Sequence, residues 1–193
     1  LFVAPGTTEA ACVHIRSLVA RMRLVNRQIK EAYAALDGLC NGLAAQDEEN
    51  SSGQSQGQCD VAILRSWPGI GRIVLATLLT EAAQPLQARD YHALRALAGV
   101  APVTRQSGKQ RFVIRRLACT KRLQTAVHHW SRVAIQRDAA ARRRYDALRQ
   151  RGHGHARALR GVGDRLLSAL CSTLKSRTSY DANHRSTRPA AKS

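Results

Sequence analysis

Acidic side chains are scarce in this sequence. Its 193 residues hold 13 Asp and Glu against 31 Lys and Arg, which gives a formal net charge of +18 and a pI near 11.2. Most of the few carboxylates, Asp37, Asp47, Glu48, Glu49 and Asp60 among them, fall before the middle of the chain, and no two are spaced as a magnesium pair. That argues against an autonomous two-metal nuclease. Long apolar runs are missing too. No segment approaches the roughly 20 apolar residues of a spanning helix, so a membrane could only be a charged surface competing with nucleic acid, and nucleic acid is the first choice of polyanionic partner. The five cysteines (Cys12, Cys40, Cys59, Cys119, Cys171) are odd in number and widely spaced, with no Cys-x-x-Cys pair. This excludes a zinc site of ordinary spacing and fits a reducing cytosol. Methionine is limited to Met22, and Leu1-Phe2-Val3-Ala4-Pro5-Gly6 has no basic segment of a signal peptide. The sequence therefore reads as the C-terminal part of something longer, or as a broken reading frame.

What is present begins with a heptad seam. Leu18, Met22, Val25, Ile29, Ala32, Leu36, Leu39 and Leu43 follow one another in alternating steps of four and three. That is the spacing of a coiled coil or an antiparallel helix pair; an amphipathic helix packed on its own domain is the other reading, with a wider stripe. Residues 46–58 carry no apolar side chain that could offset the entropy of ordering, and are expected to be a flexible linker.

From Asp60 the pattern changes. Asp60 can cap a short helix ending at Trp67; Pro68-Gly69-Ile70-Gly71 follows, then a helix from Arg72 to Ala83 with Ile73, Ala76, Leu79 and Ala83 on one face and Pro85 closing it. Two short helices joined by Gly-x-Gly form a helix-hairpin-helix pattern. The glycines permit a tight turn and leave N–H groups uncovered where the dipole of the second helix favours a phosphate. An ordinary αα-hairpin has the same outline. Asp90 can cap the next helix, Tyr91 to Ala98, with Gly99 as its left-handed exit.

The stretch from Gly99 to Arg111 then reads as a polar loop, with Phe112-Val113-Ile114 as the only convincing strand signal. Ser107 is its centre. A serine hydroxyl is a weak nucleophile unless the charge developing on the attacked group is stabilised, and Arg105, Lys109 and Arg111 could surround a phosphodiester. On spacing alone the loop is a phosphate contact first and a catalytic site second. Between Val103 and Arg165 lie seventeen Lys and Arg against three Asp. Leu123, Val127, Trp130 and Ala134 mark an inward stripe in this basic region, and Leu159, Val162, Leu166, Leu170 and Leu174 mark another. His128 and His129 are adjacent on a helix and cannot chelate one metal together; one is expected buried and the other solvated. Candidate phosphate contacts are thus Gly69, Gly71 and Arg72 at the first hairpin, and Arg105, Gly108, Lys109, Arg111, Arg115 and Arg116 around the loop. No metal ligand is expected in the chain.

Several stretches together carry a family likeness. Leu64 to Gly71, Ala96 to Lys109, His129 to Ala134, Tyr145 to His155 and Ala158-Leu159-Arg160 resemble, in this order, the C-terminal transposase domain of the one-ten class of bacterial insertion sequences, the IS116/IS110/IS902 type. The likeness runs from about Asp60 to Asp181. It implies a DNA recombinase that moves its own element, guided by a structured RNA. It also implies that the serine matched by Ser107 attacks DNA and becomes joined to it through a phosphate. A ribonuclease-H-like acidic domain ahead of this region would bind magnesium, and active sites would be composite between subunits. The sequence departs from the pattern in lacking that acidic domain and in carrying Ala118-Cys119-Thr120-Lys121 where relatives commonly have an Asn-containing turn.

The expected fold is mainly α with at most a short strand. It comprises a helical arm at 1–45, a linker at 46–59, a transposase domain at 60–177 (helix-hairpin-helix 60–84, serine loop 99–111, basic helices 117–176) and a disordered basic tail at 178–193. Expected partners are DNA, a structured guide RNA and a second copy of the chain through the 18–43 arm, in the cytoplasm at the nucleoid. A nucleic-acid-binding remnant without chemistry, or a DNA-bridging protein, is the alternative.

Overall fold

The computed structural model describes residues 6–51, 59–108 and 110–181. Most of the expected linker, Lys109 and the tail beyond Asp181 lie outside the described residues. Among those described there are eight helices and one two-stranded antiparallel sheet, so the fold is mainly α with its strands confined to one hairpin. None of these helices is long and apolar enough to cross a membrane. The chain divides into two units, one ending at Asn41 and the other beginning at Gly42.

Among the described residues the first unit is one helix, which continues past Asn41. Helix α1, Thr7–Ser51, has 45 residues, a length of about 68 Å at 1.5 Å per residue. It runs past the point where the linker was expected to begin, since Gln and Glu are good helix formers. Most of the heptad seam lies open along the helix: Met22 is 64% and Leu39 71% exposed, with Leu18, Val25 and Ile29 also exposed and Leu36 half-buried.

The second unit is built around α6, Lys121–Arg137, and α8, His155–Ser176. Leu123, Val127, Trp130 and Ala134 of α6 are buried, as are Leu159, Val162, Leu166, Leu170 and Leu174 of α8. These are the two inward stripes read from the sequence. Where the helices meet, a Cβ added to Gly163 would stand 2.8 Å from Ser131 Oγ, so the absence of a side chain sets their approach. Between them α7, Ala139–Gln150, starts at Asp138, whose buried carboxylate accepts from Ala140 N and Ala141 N. Such a cap satisfies two N–H groups that the helix cannot.

Helices α2 (Asp60–Ser66), α3 (Arg72–Glu81), α4 (Ala83–Gln87) and α5 (Tyr91–Leu97) pack around this pair. Three details differ from expectation. Asp60 does not cap α2; it is the first helical residue and forms a two-pronged ion pair with Arg89 at 2.7 Å. The buried side of α3 is Val74, Leu75 and Leu78, while Ile73 is 54% exposed. Pro85 does not end α3; it is buried in the first turn of α4, where its missing N–H costs nothing. The α2–α3 turn is held by Trp130, whose Nε1 donates to Pro68 O at 3.1 Å and whose ring meets Trp67 edge-on at 5.7 Å. Gly69 is needed there: its φ is +91°, and a Cβ would lie 3.1 Å from Trp130 Cδ1. Gly71 is extended instead, at φ −85°, and serves as the N-cap of α3.

The start of the expected tail is anchored. Tyr180 packs on Trp67 with ring centroids 4.4 Å apart, and its N donates to Ser66 Oγ.

Candidate nucleic-acid interface

Helix α5 opens at Asp90, which accepts from His92 N and Ala93 N, and it closes at Gly99 with φ +67°. The chain then leaves the core as a hairpin. Strand β1, Pro102–Ser107, pairs antiparallel with β2, Gln110–Arg115, in a register that sets Ser107 opposite Gln110 and Arg105 opposite Phe112. Residues 102–107, read from sequence as loop, are therefore strand. Both strands are exposed almost throughout, so no alternation of polar and apolar residues marks β1. Gly108, at φ +56°, occupies the turn.

The pleat sorts the candidate contacts. Side chains alternate between faces along a strand, and directly paired residues share a face. Ser107, Arg105, Gln110 and Phe112 thus lie on one face, and Arg111 and Arg115 on the other. Arg105 is brought beside Ser107; Arg111, expected to help surround the same phosphate, is not. Phe112 is 55% exposed and stands across from Arg105. A protruding cation beside an exposed aromatic ring, next to a free hydroxyl, is the combination that engages a strand by phosphate contact and base stacking.

At the root of the hairpin the chain is tied back to the core. Thr120 N donates to Leu97 O at 3.0 Å. Arg115 donates to Gln124 Oε1 at 2.6 Å, and Gln124 Nε2 contacts Cys119 Sγ at 3.2 Å. Arg116 is half-buried just beyond β2, and its Nε is buried without a hydrogen-bond partner. Gly69, Gly71 and Arg72 belong to the α2–α3 turn, where Gly71 and Arg72 are exposed at the start of α3 and no side chain caps that helix.

His128 and His129 are both exposed, contrary to the expectation that one would be buried. The inward positions of α6 are taken by Val127 and Trp130, which leaves the two imidazoles on opposite flanks of that stripe. His128 is held below its ordinary pKa, first by partial burial and then by His129, Arg132, His155 and Arg115. His155 instead pairs with Tyr145, Nδ1 to hydroxyl, at 2.8 Å.

The carboxylates from Glu81 to Asp164 are occupied elsewhere. Asp164 accepts from Arg95 and from the Tyr91 hydroxyl, Asp146 pairs with Arg142, and Glu81 with Arg122, while Asp90 and Asp138 cap helices. Among the described residues no three His, Cys, Asp or Glu side chains gather as metal ligands. Magnesium of the kind implied by the family likeness does not fit the described donor set.

The model of the family described as Transposase IS116/IS110/IS902 matches residues 61–146, which run from α2 through the hairpin into α7. The chain is also 33% identical over 170 residues to the "Mini-circle putative transposase for IS117" of Streptomyces coelicolor. That alignment covers 87% of this chain and 41% of the relative, so the chain spans about two fifths of the relative's length.

Proposed function

We propose that the chain, whose segment 61–146 matches the IS116/IS110/IS902 transposase family, carries the DNA-holding, nucleophile-bearing part of such an enzyme. Ser107 is the attacking group. Its Oγ forms a bond to the phosphorus of a DNA phosphodiester, and one of the two P–O ester bonds breaks. The departing DNA oxygen takes up a proton, and the serine proton passes to solvent or to a base. One ester linkage is exchanged for another, so the strand can be rejoined without an external energy source. Arg105, on the same face as Ser107, is suited to the negative charge that builds on the phosphoryl oxygens. The exposed start of α3 behind Gly71 and Arg72 would add a phosphate contact that positions the duplex without reading its sequence.

The observation that carries this reading is the placement of Ser107 at the end of an exposed hairpin strand with a cation on its face. The engaged carboxylates favour a second reading for the chain by itself, in which it binds nucleic acid and performs no chemistry until an acidic domain completes the site. Magnesium then belongs to that other domain. The open heptad seam of α1 fits a second copy of the chain, which would make the composite site possible, and a structured guide RNA is a further polyanion suited to the basic helices. The test mixes the chain, an acidic domain of a longer relative, and element-end DNA. A protein–DNA adduct that survives denaturation and disappears in Ser107→Ala supports catalysis. Salt-sensitive binding with no adduct leaves the second reading.

A further inference from the structure

A second cationic site lies at the opposite end of the hairpin from Ser107. The end of β2, the flank of α6 and the first turns of α8 enclose a cavity of about 260 Å³ whose polar lining includes Arg115, Gln124, His128 and Arg160, with Val100 and Leu159 among its apolar walls. It is smaller than the roughly 300–1,000 Å³ of pockets that hold drug-sized ligands. A small group fits it better than a whole nucleotide.

No carboxylate lines this cavity. Two guanidinium groups and an imidazole therefore converge with no opposite charge to offset them, although elsewhere in the same unit arginines are matched to Asp60, Asp146 and Asp164. Arg160 is half-buried, and burial followed by the charges of Arg115 and Arg157 holds its pKa below the ordinary guanidinium value. Arg115 is oriented by its bond to Gln124, which is itself steadied by Cys119. The beginning of α8 contributes as well. Its N-cap, Gly154, supplies no side-chain cap, and Ala156 of the first turn lines the cavity. Uncapped N–H groups and the helix dipole favour an anion at this place.

We propose that this cavity is a phosphate-binding site in which Arg160 and Arg115 hold the phosphoryl oxygens and the first turn of α8 supplies further N–H donors. Guanidinium forks match two oxygens of a phosphate at once, which a lysine could not do. The bound group can be a phosphodiester of a nucleic-acid strand or free phosphate. The first source rests on the DNA-joining function proposed above; the second does not. From Gln110, opposite Ser107, to Arg115 the strand advances by about 17 Å at 3.4 Å per residue. The site is thus far enough from Ser107 to grip the strand without touching the attacked bond.

The test uses inorganic phosphate as probe, titrated into the full chain at constant ionic strength with chloride as the counter-titration, and read by side-chain NMR. Saturable shifts at His128 and Arg160, lost or weakened at least tenfold in Arg160→Gln and partly kept in Arg160→Lys, are expected. Arg115→Gln provides a second variant, and thermal melting checks that each is folded. Linear shifts spread over many arginines, or saturation indifferent to both variants, overturn the proposal. The second arm measures duplex binding against salt. A slope reduced by about 0.9 in Arg160→Gln, one phosphate's worth, assigns the site to nucleic acid; an unchanged slope in that variant, in which phosphate binding is nevertheless lost, assigns it to free phosphate. Ser107→Ala leaves the phosphate titration as it is, so failure of the covalent chemistry and failure of this site are read separately.

Discussion

Replacing Gly99 by alanine probes the joint on which the serine hairpin is mounted. The backbone there has φ +67°, and a Cβ would stand 2.6 Å from Gln124 Nε2 and 2.8 Å from Cys119 Sγ. Holding an L-residue in the left-handed region costs about 1–2 kcal/mol. The clash with Gln124 is relieved only if that side chain swings away, which gives up its contacts with Arg115 and Cys119 and costs about 0.5–1.5 kcal/mol for a lost hydrogen bond. The two contributions add because they arise from different atoms. Gly99→Ala should therefore destabilise the second unit by about 1.5–3.5 kcal/mol. Urea unfolding followed by tryptophan fluorescence suits this measurement, since Trp67 and Trp130 both lie in its core. With a slope of roughly 1–3 kcal/mol per molar urea, the midpoint should fall by about 0.5–3.5 M with the slope unchanged. Gly99→Asn separates the parts: asparagine tolerates the left-handed region but brings the same Cβ, so it should recover only the conformational share. A Gly99→Ala midpoint within a few tenths molar of the parent, at about 0.3 M or less, would refute the reasoning about this joint.

Three further outcomes are expected. The Tyr91 phenol is pushed up to about 12 by burial, by its hydrogen bond to Asp164 and by that carboxylate's charge; in Asp164→Asn its ionisation, followed by ultraviolet absorbance, should fall part of the way toward 10.0, and an unmoved value would assign the whole shift to burial. His128 is held below 6.5 in the folded chain, so the unfolded chain takes up that proton first. Its destabilising effect is absent well above pH 6.5, grows as the pH falls, and levels off below the folded value. Urea midpoints measured down this range should decline less in His128→Gln, and an identical decline would remove His128 from the explanation. In α1, Ile29→Lys with Leu36→Lys places charges in the open seam; sedimentation should show the chain's self-association lost while duplex binding by the basic unit persists, and unchanged association would exclude the seam as the contact.

Much of the second unit was legible because its determinants are local or periodic. Asp90 before an apolar run and Gly99 after it mark both ends of α5, and three- and four-residue spacing from Leu123 to Ala134 and from Leu159 to Leu174 gives the buried stripes. What escaped reading depends on contacts between distant residues. Asp60 looks like a cap until Arg89 arrives to pair with it, and the buried side of α3 is chosen by α6 rather than by its own nearly uniform apolar sequence. Strand β1 escaped because neither of its faces is buried, so nothing constrains its composition to alternate. The split of Arg105 from Arg111 follows from pairing register, which a loop reading cannot supply. The cavity at the hairpin root joins Arg115 to Arg160 across three elements. Its linear traces are Arg115, read from the sequence as a phosphate contact, and an arginine on the flank of the α8 stripe.

The central claim is that Ser107 is the nucleophile, and it is tested most directly by trapping the covalent product. Element-end DNA labelled on one strand is incubated with the chain and a complementing acidic domain, denatured, and digested to a peptide carrying the attached nucleotide. Mass spectrometry should place the phosphoryl link on Ser107, with no adduct from Ser107→Ala. An adduct that persists in Ser107→Ala, or a link mapped to another residue, would contradict the account.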